Sequence, residues 1–236
     1  MIDPRIIVAI DTHDYEDAVV LLDQLNPELC KVKIGSVLFN ALGKDFLRLV
    51  DQRGFKIFLD LKLHDIPNTV AKAIHSLMRL HPKIITIHTA GGYAMMMAAA
   101  NAATEAAAQE CCPRPLIVGV TILTSLDEAD LTAIGYQDSL PNQVLKMAKL
   151  AKKSGLDGVV CSPHEIELIR DTCGPDFKLV VPGIRPAGSR KGDQKRVMTP
   201  KEAINLGADF LVIGRPITQA DDPVAAVRAI VEEINS

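Results

Sequence analysis

The sequence predicts an α/β protein, a single (β/α)8 TIM barrel over residues 1–236, and three observations support this prediction. Short apolar runs rich in Ile, Val and Leu recur along the chain, and helical patterns lie between them. The length of 236 residues suits one barrel domain, which occupies about 200–250 residues. The alternative is an open doubly wound sheet, which is disfavoured because no GxGxxG follows the first run.

The apolar runs are nearly continuous in hydrophobicity, as expected of parallel strands that are covered on both faces. Strands that alternate with helices imply parallel pairing through right-handed crossovers. The runs predict eight strands: Ile6–Ile10, Cys30–Ile34, Lys56–Leu61, Ile84–His88, Leu116–Ile122, Gly158–Cys161, Lys178–Val181 and Phe210–Ile213.

Capping residues mark several helix boundaries. Ser162–Glu165 and Thr199–Glu202 each form a capping box with Pro at the first helical position. Asp222 is placed to cap the last helix, and Gly207 fits the end of the helix before the last strand.

Composition excludes several classes of protein. With 48% apolar residues the chain is not disordered, and a net charge of −3 with 4% aromatic residues argues against a general nucleic-acid or anionic-membrane partner. Five cysteines without CxxC spacing indicate free thiols in a reducing compartment. Because no apolar run approaches the roughly 18 residues of a membrane span, we expect a cytoplasmic protein.

Reactive groups of such barrels lie at the carboxyl ends of the strands. Asp60 and Lys62 are there, two positions apart, and alternation along a strand points both to the same side. Charges that face a barrel interior are costly unless paired, and a pair at about 4 Å with an effective dielectric near 20 attracts by about 4 kcal/mol before desolvation. Lys33 is within reach from the neighbouring strand. A functional cluster is favoured over a purely structural ion-pair network.

Two further segments suggest an anionic ligand. The stretch from Val181–Arg185 to Gly192–Arg196 is long, polar and rich in Gly and basic residues, which suits a mobile lid, although an ordinary solvated loop has the same composition. Gly214 and Arg215 follow the last strand, where barrels bind phosphate.

The histidines do not indicate a metal site, because none lies at ligand spacing from Cys or carboxylate groups. We therefore expect no metal and no cofactor. His88 ends the fourth strand; of its two interpretations, a hydrogen-bonded supporting residue is preferred over an acid/base group.

The segment Asp60–Val70, DLKLHDIPNTV, resembles the DxKxxDIPxTV signature of the orotidine 5′-monophosphate decarboxylase family, in its bacterial monofunctional form. Weaker similarities follow the family order along essentially the whole chain. They are Val8–Asp11, Lys31–Gly35, His88–Gly92, Val120–Ser125, Val181–Arg185 and Ile213–Ile217.

The resemblance implies a cofactor-free decarboxylation of orotidine 5′-monophosphate to uridine 5′-monophosphate, the last step of de novo pyrimidine synthesis. It implies that Lys62 donates the proton, that Asp60 lies beside the substrate carboxylate, and that Lys33 belongs to the same charged array. A homodimer is implied as well, in which Asp65 and Thr69 reach into the partner's site.

The resemblance also implies the substrate contacts. Asp11 and Lys33 would hydrogen-bond the ribose hydroxyls, and Thr124 would contact the pyrimidine. The phosphate would be held by Gln194, Gly214 and Arg215, with Arg185 assisting from the lid.

Two alternatives remain at this point. Related hexulose-phosphate synthases and ketogulonate-phosphate decarboxylases share D-x-K-x-x-D but use magnesium, for which their second strand carries an acidic ligand; this chain has Lys33 there, which repels a cation. A non-catalytic phosphate-binding barrel would lack one of the catalytic charges, and all are present.

Overall fold

The structure, a computed structural model, describes residues 4–186 and 198–236. Eight parallel strands close into a barrel in the order β1 to β8, so each strand pairs with its neighbours in sequence and β8 pairs with β1. The (β/α)8 barrel predicted from the sequence is confirmed. The strands are β1 Ile6–Ile10, β2 Lys31–Gly35, β3 Ile57–Leu63, β4 Ile84–His88, β5 Leu116–Val120, β6 Gly158–Val160, β7 Lys178–Pro182 and β8 Phe210–Ile213.

Ten α-helices connect or follow these strands within the described residues. They are α1 Tyr15–Gln24, α2 Ser36–Gln52, α3 Pro67–Leu77, α4 Gly92–Gln109, α5 Glu128–Ala133, α6 Leu140–Lys153, α7 Ile166–Cys173, α8 Pro200–Asn205, α9 Arg215–Thr218 and α10 Pro223–Asn235. The short helices α5 and α9 are additional to one helix per strand. Among the helices described, none has the length and apolarity to cross a membrane.

The predicted caps are confirmed. Both boxes, Ser162 with Glu165 and Thr199 with Glu202, show the reciprocal side-chain and backbone hydrogen bonds, although Ser162 opens a 3₁₀ turn that leads into α7. The Asp222 side chain accepts from the Ala225 amide at the start of α10. Gly207 has φ of 109° just after α8, a conformation that favours glycine.

Apolar side chains form two layers. A smaller cluster, which includes Ile7, Phe58 and Val180, fills the barrel interior, and a larger one lies between the strands and the helices. Because each strand is covered on both faces, its sequence is an uninterrupted apolar run rather than an alternating one.

The strand pairing is irregular between β3 and β4. Leu59 pairs with Ile85 and Leu63 with Ile87, so Asp60–Lys62 of β3 stand opposite the single residue Thr86 of β4. Lys62 adopts φ of 51°, in the left-handed region. For a residue with a side chain this conformation costs about 1–2 kcal/mol, which the surrounding structure must offset.

Ion pairs stabilise the amino-terminal end of the barrel. Asp209, just before β8, accepts from Arg170 at 2.7 Å, from the Lys178 ammonium at 3.1 Å and from the Leu179 amide at 2.9 Å. The side chain is 21% exposed, so solvent screens these contacts only in part.

We expect Asp209→Ala to lower the free energy of unfolding by about 2 kcal/mol, because it removes the counter-ion of a partly buried guanidinium and leaves the Leu179 amide without its acceptor. Urea denaturation measures this change. The control is Asp45→Ala, which removes an exposed pair with Arg48 (Asp45 side chain 90% exposed) and should cost less than about 0.5 kcal/mol. Equal effects of the two substitutions would contradict the assignment.

Candidate active site

Alternate residues of the strands point into the barrel, and toward the carboxyl ends of β2 and β3 these inward residues are Lys33 and Asp60. Lys33 lies two positions beyond the buried Lys31, whose ammonium is 4.9 Å from the centroid of the Phe210 ring. Asp60 lies two positions beyond Phe58 of the interior cluster. The register pairs Lys33 with Phe58, so β2 and β3 bring both charged residues to the same rim.

Asp60 is the centre of a three-residue charged cluster, made of Lys33, Asp60 and Lys62. The Lys62 ammonium donates to Asp60 Oδ2 at 2.9 Å, and the Lys33 ammonium lies 3.4 Å from the same oxygen. A Cβ atom at Gly35 would come within 3.1 Å of Lys33 Nζ, so the glycine leaves room for this ammonium. The predicted proximity of the three side chains is what the structure shows.

Opposing effects act on the pKa of Asp60. Burial raises it, but the charges of Lys33 and Lys62, together with hydrogen bonds from Lys62 and Thr86, outweigh burial and leave the pKa below its ordinary value. Asp60 is therefore a carboxylate at neutral pH.

The backbone around Lys62 is held from β4. The Lys62 amide donates to Thr86 Oγ1 at 2.8 Å, and the Thr86 hydroxyl donates to Asp60 Oδ1 at 3.0 Å. Because Lys62 itself is left-handed, the regular strand alternation expected from Asp60 to Lys62 is broken. The two side chains nevertheless form a hydrogen bond.

Two cavities open at this rim and share Lys33, Pro182 and Val212 in their walls. The smaller, about 240 Å³, contains Asp60 and Lys62 and is otherwise walled mainly by apolar groups such as Ile122. The larger, about 840 Å³, lies at the loops that follow β1, β7 and β8 and is lined by basic, acidic, polar and apolar side chains. Lys33 therefore lies at the junction of the two cavities.

The predicted binding residues are divided between these cavities. Asp11, Arg185, Gly214 and Arg215 line the larger cavity, and Thr124 lines the smaller one. Arg185 is 9% exposed and donates to the Ile184 carbonyl at 3.0 Å. Gln194 lies outside the described residues, as does most of the segment expected to form a lid.

Asp65 and Thr69 are not brought to either cavity in the single chain. They belong to the stretch 64–69, in which every residue is exposed. The Asp65 carboxylate accepts from the Ile66 amide at 2.6 Å at the start of α3.

His88 differs from the preferred expectation of a hydrogen-bonded residue. Its buried Nδ1 has no hydrogen-bond partner within the described residues, and its ring stacks on His64 at 5.4 Å between centroids. Burial lowers the pKa of His88, and the charges of His64 and Lys62 lower it further.

Sequence reasoning missed Thr86 and the apolar wall of the smaller cavity. The available signal for Thr86 was a lone hydroxyl residue inside the otherwise apolar run of β4, on the same strand face as His88. The wall residues, such as Phe58, Val160 and Cys161, carry no signal that separates them from ordinary core residues.

The fold and the site together define a (β/α)8 barrel with a charged cluster at its carboxyl rim, where barrel enzymes have their active sites. Residues 4–230 match the model of the family described as Orotidine 5′-phosphate decarboxylase / HUMPS family. The chain belongs to this family.

Named relatives agree with this membership. The chain is 50% identical over 228 residues to an orotidine 5′-phosphate decarboxylase of Haemophilus ducreyi, covering 97% of each protein, and 47% identical to one of Vibrio campbellii, covering 100% of each. It is also similar to a crystal structure of orotidine 5′-phosphate decarboxylase from Lactobacillus acidophilus, with a TM-score of 0.88 and 39% identity over 99% of this chain and 100% of that one.

The lowered pKa of Asp60 predicts a pH-dependent contribution to stability. A carboxylate whose pKa is depressed by folding stabilises the folded state above its unfolded pKa of about 4, and this contribution is lost as the pH falls through the folded pKa. As the pH falls from about 6 to 3, the wild-type protein should therefore lose stability relative to Asp60→Asn. The free energy of unfolding of the wild type minus that of the variant should decrease over this range.

Urea titrations of both proteins at several pH values measure this difference. Asp45→Asn, at the exposed pair with Arg48, is the control and should show a smaller pH-dependent change. A constant difference between the protein and Asp60→Asn across this range would show that the Asp60 carboxylate is not stabilised by its neighbours.

Proposed function

We propose that the protein converts orotidine 5′-monophosphate to uridine 5′-monophosphate and carbon dioxide, with Lys62 as the proton donor. The observation that carries the proposal is the Lys62 ammonium, held 2.9 Å from a buried carboxylate inside the smaller cavity. The family membership and the named relatives support the same reaction.

The chemistry explains why a fixed ammonium is needed. When the bond between C6 and the carboxylate breaks, carbon dioxide leaves and the electron pair stays on C6, where no adjacent carbonyl group delocalises it. A preorganised positive charge beside C6 stabilises this carbanion. The same ammonium then gives its proton to C6 as a general acid, and the neutral amine takes a proton from solvent.

The two cavities suit the two ends of the nucleotide. The smaller cavity would hold the pyrimidine, with Thr124 in contact, and Asp11 and Lys33 at the junction would bind the ribose hydroxyls. The phosphate would lie in the larger cavity at Gly214 and Arg215, with Arg185 and Gln194 assisting. Binding energy gained at the phosphate, remote from C6, can be used to order the charged cluster.

The position of Lys33 favours this reaction over the magnesium-dependent chemistry of related barrels. Its ammonium lies 3.4 Å from Asp60, so a cation bound to this carboxylate would meet a positive charge at close range. We propose a site that works without metal or cofactor.

We also propose a homodimer in which Asp65 of the partner subunit completes the charged cluster and Thr69 of the partner subunit contacts the substrate. The stretch 64–69 begins two residues after Lys62 and is exposed throughout, with Ile66 65% exposed. Val37 and Tyr93, near the starts of α2 and α4, are also exposed. Because β2, β3 and β4 are neighbours, these apolar groups share one side of the rim, where a second copy would cover them.

A cytoplasmic location remains a proposal. It is supported by the five free cysteines, all of which fall within the described residues.

Purified protein in the presence of a chelator should decarboxylate orotidine 5′-monophosphate, followed by the ultraviolet absorbance change of the pyrimidine. Lys62→Ala should lower turnover by at least about 10³-fold, because it removes both the electrostatic stabilisation and the proton donor. Binding of uridine 5′-monophosphate to the variant, measured by calorimetry, should remain.

Lys149→Ala, which removes an exposed lysine of α6, is the control and should retain full turnover. Loss of wild-type activity in chelator would favour a magnesium enzyme, and near-normal turnover by Lys62→Ala would refute its assigned role.

Mixing Lys62→Ala chains with Asp65→Ala chains should restore activity, because one of the two sites in a mixed dimer then holds both groups. Random exchange of equal amounts should recover about a quarter of wild-type turnover. The control mixes Lys62→Ala with Asp60→Asn, whose residues act in the same barrel, so that neither site of the mixed dimer is complete. No recovery from mixed dimers verified by native mass spectrometry would exclude a shared site.

A further inference from the structure

The Thr86 hydroxyl contacts both the Asp60 carboxylate and the Lys62 backbone, in addition to the direct hydrogen bond between the two side chains. It donates to Asp60 Oδ1 at 3.0 Å and accepts from the Lys62 amide at 2.8 Å. Thr86 is fully buried, so water does not compete for either contact. The hydroxyl uses its single donor proton and one of its two accepting lone pairs in these contacts.

We propose that Thr86 is a positioning residue that sets the orientation of the Asp60 carboxylate and holds the Lys62 backbone in its left-handed conformation. This inference rests on the proposed function, since it concerns the placement of the amine that acts on C6.

Thr86 restricts the orientation of the Asp60 carboxylate. Its two oxygens have separate partners: Oδ1 accepts from Thr86, and Oδ2 is the atom that both ammonium groups approach. A carboxylate anchored at Oδ1 cannot rotate freely, so Oδ2 stays directed toward Lys33 and Lys62. Without the hydroxyl, the Asp60 carboxylate could rotate with the mobile lysine side chains and would no longer fix their positions.

Thr86 also holds the backbone of β3 at Lys62. Thr86 is the single β4 residue opposite the three residues Asp60–Lys62, so regular strand pairing does not provide for every amide of that stretch. The Thr86 side chain accepts the Lys62 amide where a carbonyl of a regular ladder would otherwise do so. The φ of 51° at Lys62 persists because this hydrogen bond fixes it.

The test compares Thr86→Val, which keeps the β-branched shape and loses the hydroxyl, with Thr86→Ser, which keeps the hydroxyl. We expect Thr86→Val to lower kcat by about 10- to 100-fold while KM changes by less than about threefold, since misplacement of about 1 Å has effects of that size. Thr86→Ser should retain kcat within about threefold. If Thr86→Val does not fold, Thr86→Ala compared with Thr86→Ser isolates the hydroxyl in the same way.

A pH profile separates positioning from general destabilisation. Because the Thr86 hydrogen bond is among the contacts that lower the pKa of Asp60, its loss should move the acidic limb of the kcat profile to higher pH. The matched control is Thr89→Val, which removes a buried hydroxyl that donates to the Val120 carbonyl at 2.8 Å and should leave kcat and its pH profile unchanged.

The inference is overturned if Thr86→Val turns over at the wild-type rate, or if Thr86→Ser is impaired as much as Thr86→Ala, since packing alone would then explain the effect. An inactive wild-type protein would overturn the proposed function as well, whereas an active wild type with an unaffected Thr86→Val would overturn only the positioning role.

Discussion

The Asp60 carboxylate is the group on which the site depends. Two ammonium groups at the mouth of a barrel would repel each other and resist desolvation, and a buried anion between them offsets both effects. Asp60 in turn is ionised because Lys33 and Lys62 outweigh its own burial. The ionised state of Asp60 therefore depends on the two lysines that contact it.

The barrel supplies this cluster through strand register rather than through loops. Lys33 and Asp60 come from adjacent strands whose alternate residues point inward, and the apolar interior beneath them fixes where those strands lie. The irregular pairing of β3 with β4 adds what regular strands lack, a turn in the backbone that directs Lys62 back toward Asp60. A locally unfavourable conformation is thus maintained by the surrounding sheet, as is common at reactive sites.

Much of the architecture was predictable because parallel strands covered on both faces produce continuous apolar runs, and because capping residues act through local hydrogen bonds. The ends of the strands were less predictable. The strand β3 extends to Leu63, two residues past the apolar run, because pairing with β4 resumes beyond the irregular stretch. The helix α5 was missed; it has only six residues, and its Asp127 capping box uses Asp130 rather than Glu or Gln.

Within the site, the spacing of Asp60 and Lys62 was enough to predict that their side chains are close. The backbone conformation that brings them together could not be predicted from that spacing. Alternation would have sufficed in a regular strand, whereas the observed contact involves a left-handed Lys62 and the hydroxyl of Thr86, twenty-four residues away in sequence. The exposure of the stretch 64–69 likewise depends on what surrounds α3 in three dimensions. Its role across a dimer came from the family resemblance and not from any local pattern.

In the proposed reaction the Lys62 ammonium, held by Asp60, lies beside the carbon to which the substrate carboxylate is attached. A crystal structure with uridine 5′-monophosphate bound tests it most directly. We expect Lys62 Nζ within about 3–3.5 Å of C6 of the pyrimidine, with the hydrogen bond to Asp60 intact. A bound nucleotide whose C6 faces away from Lys62, or a Lys62 side chain turned out of the smaller cavity, would contradict it.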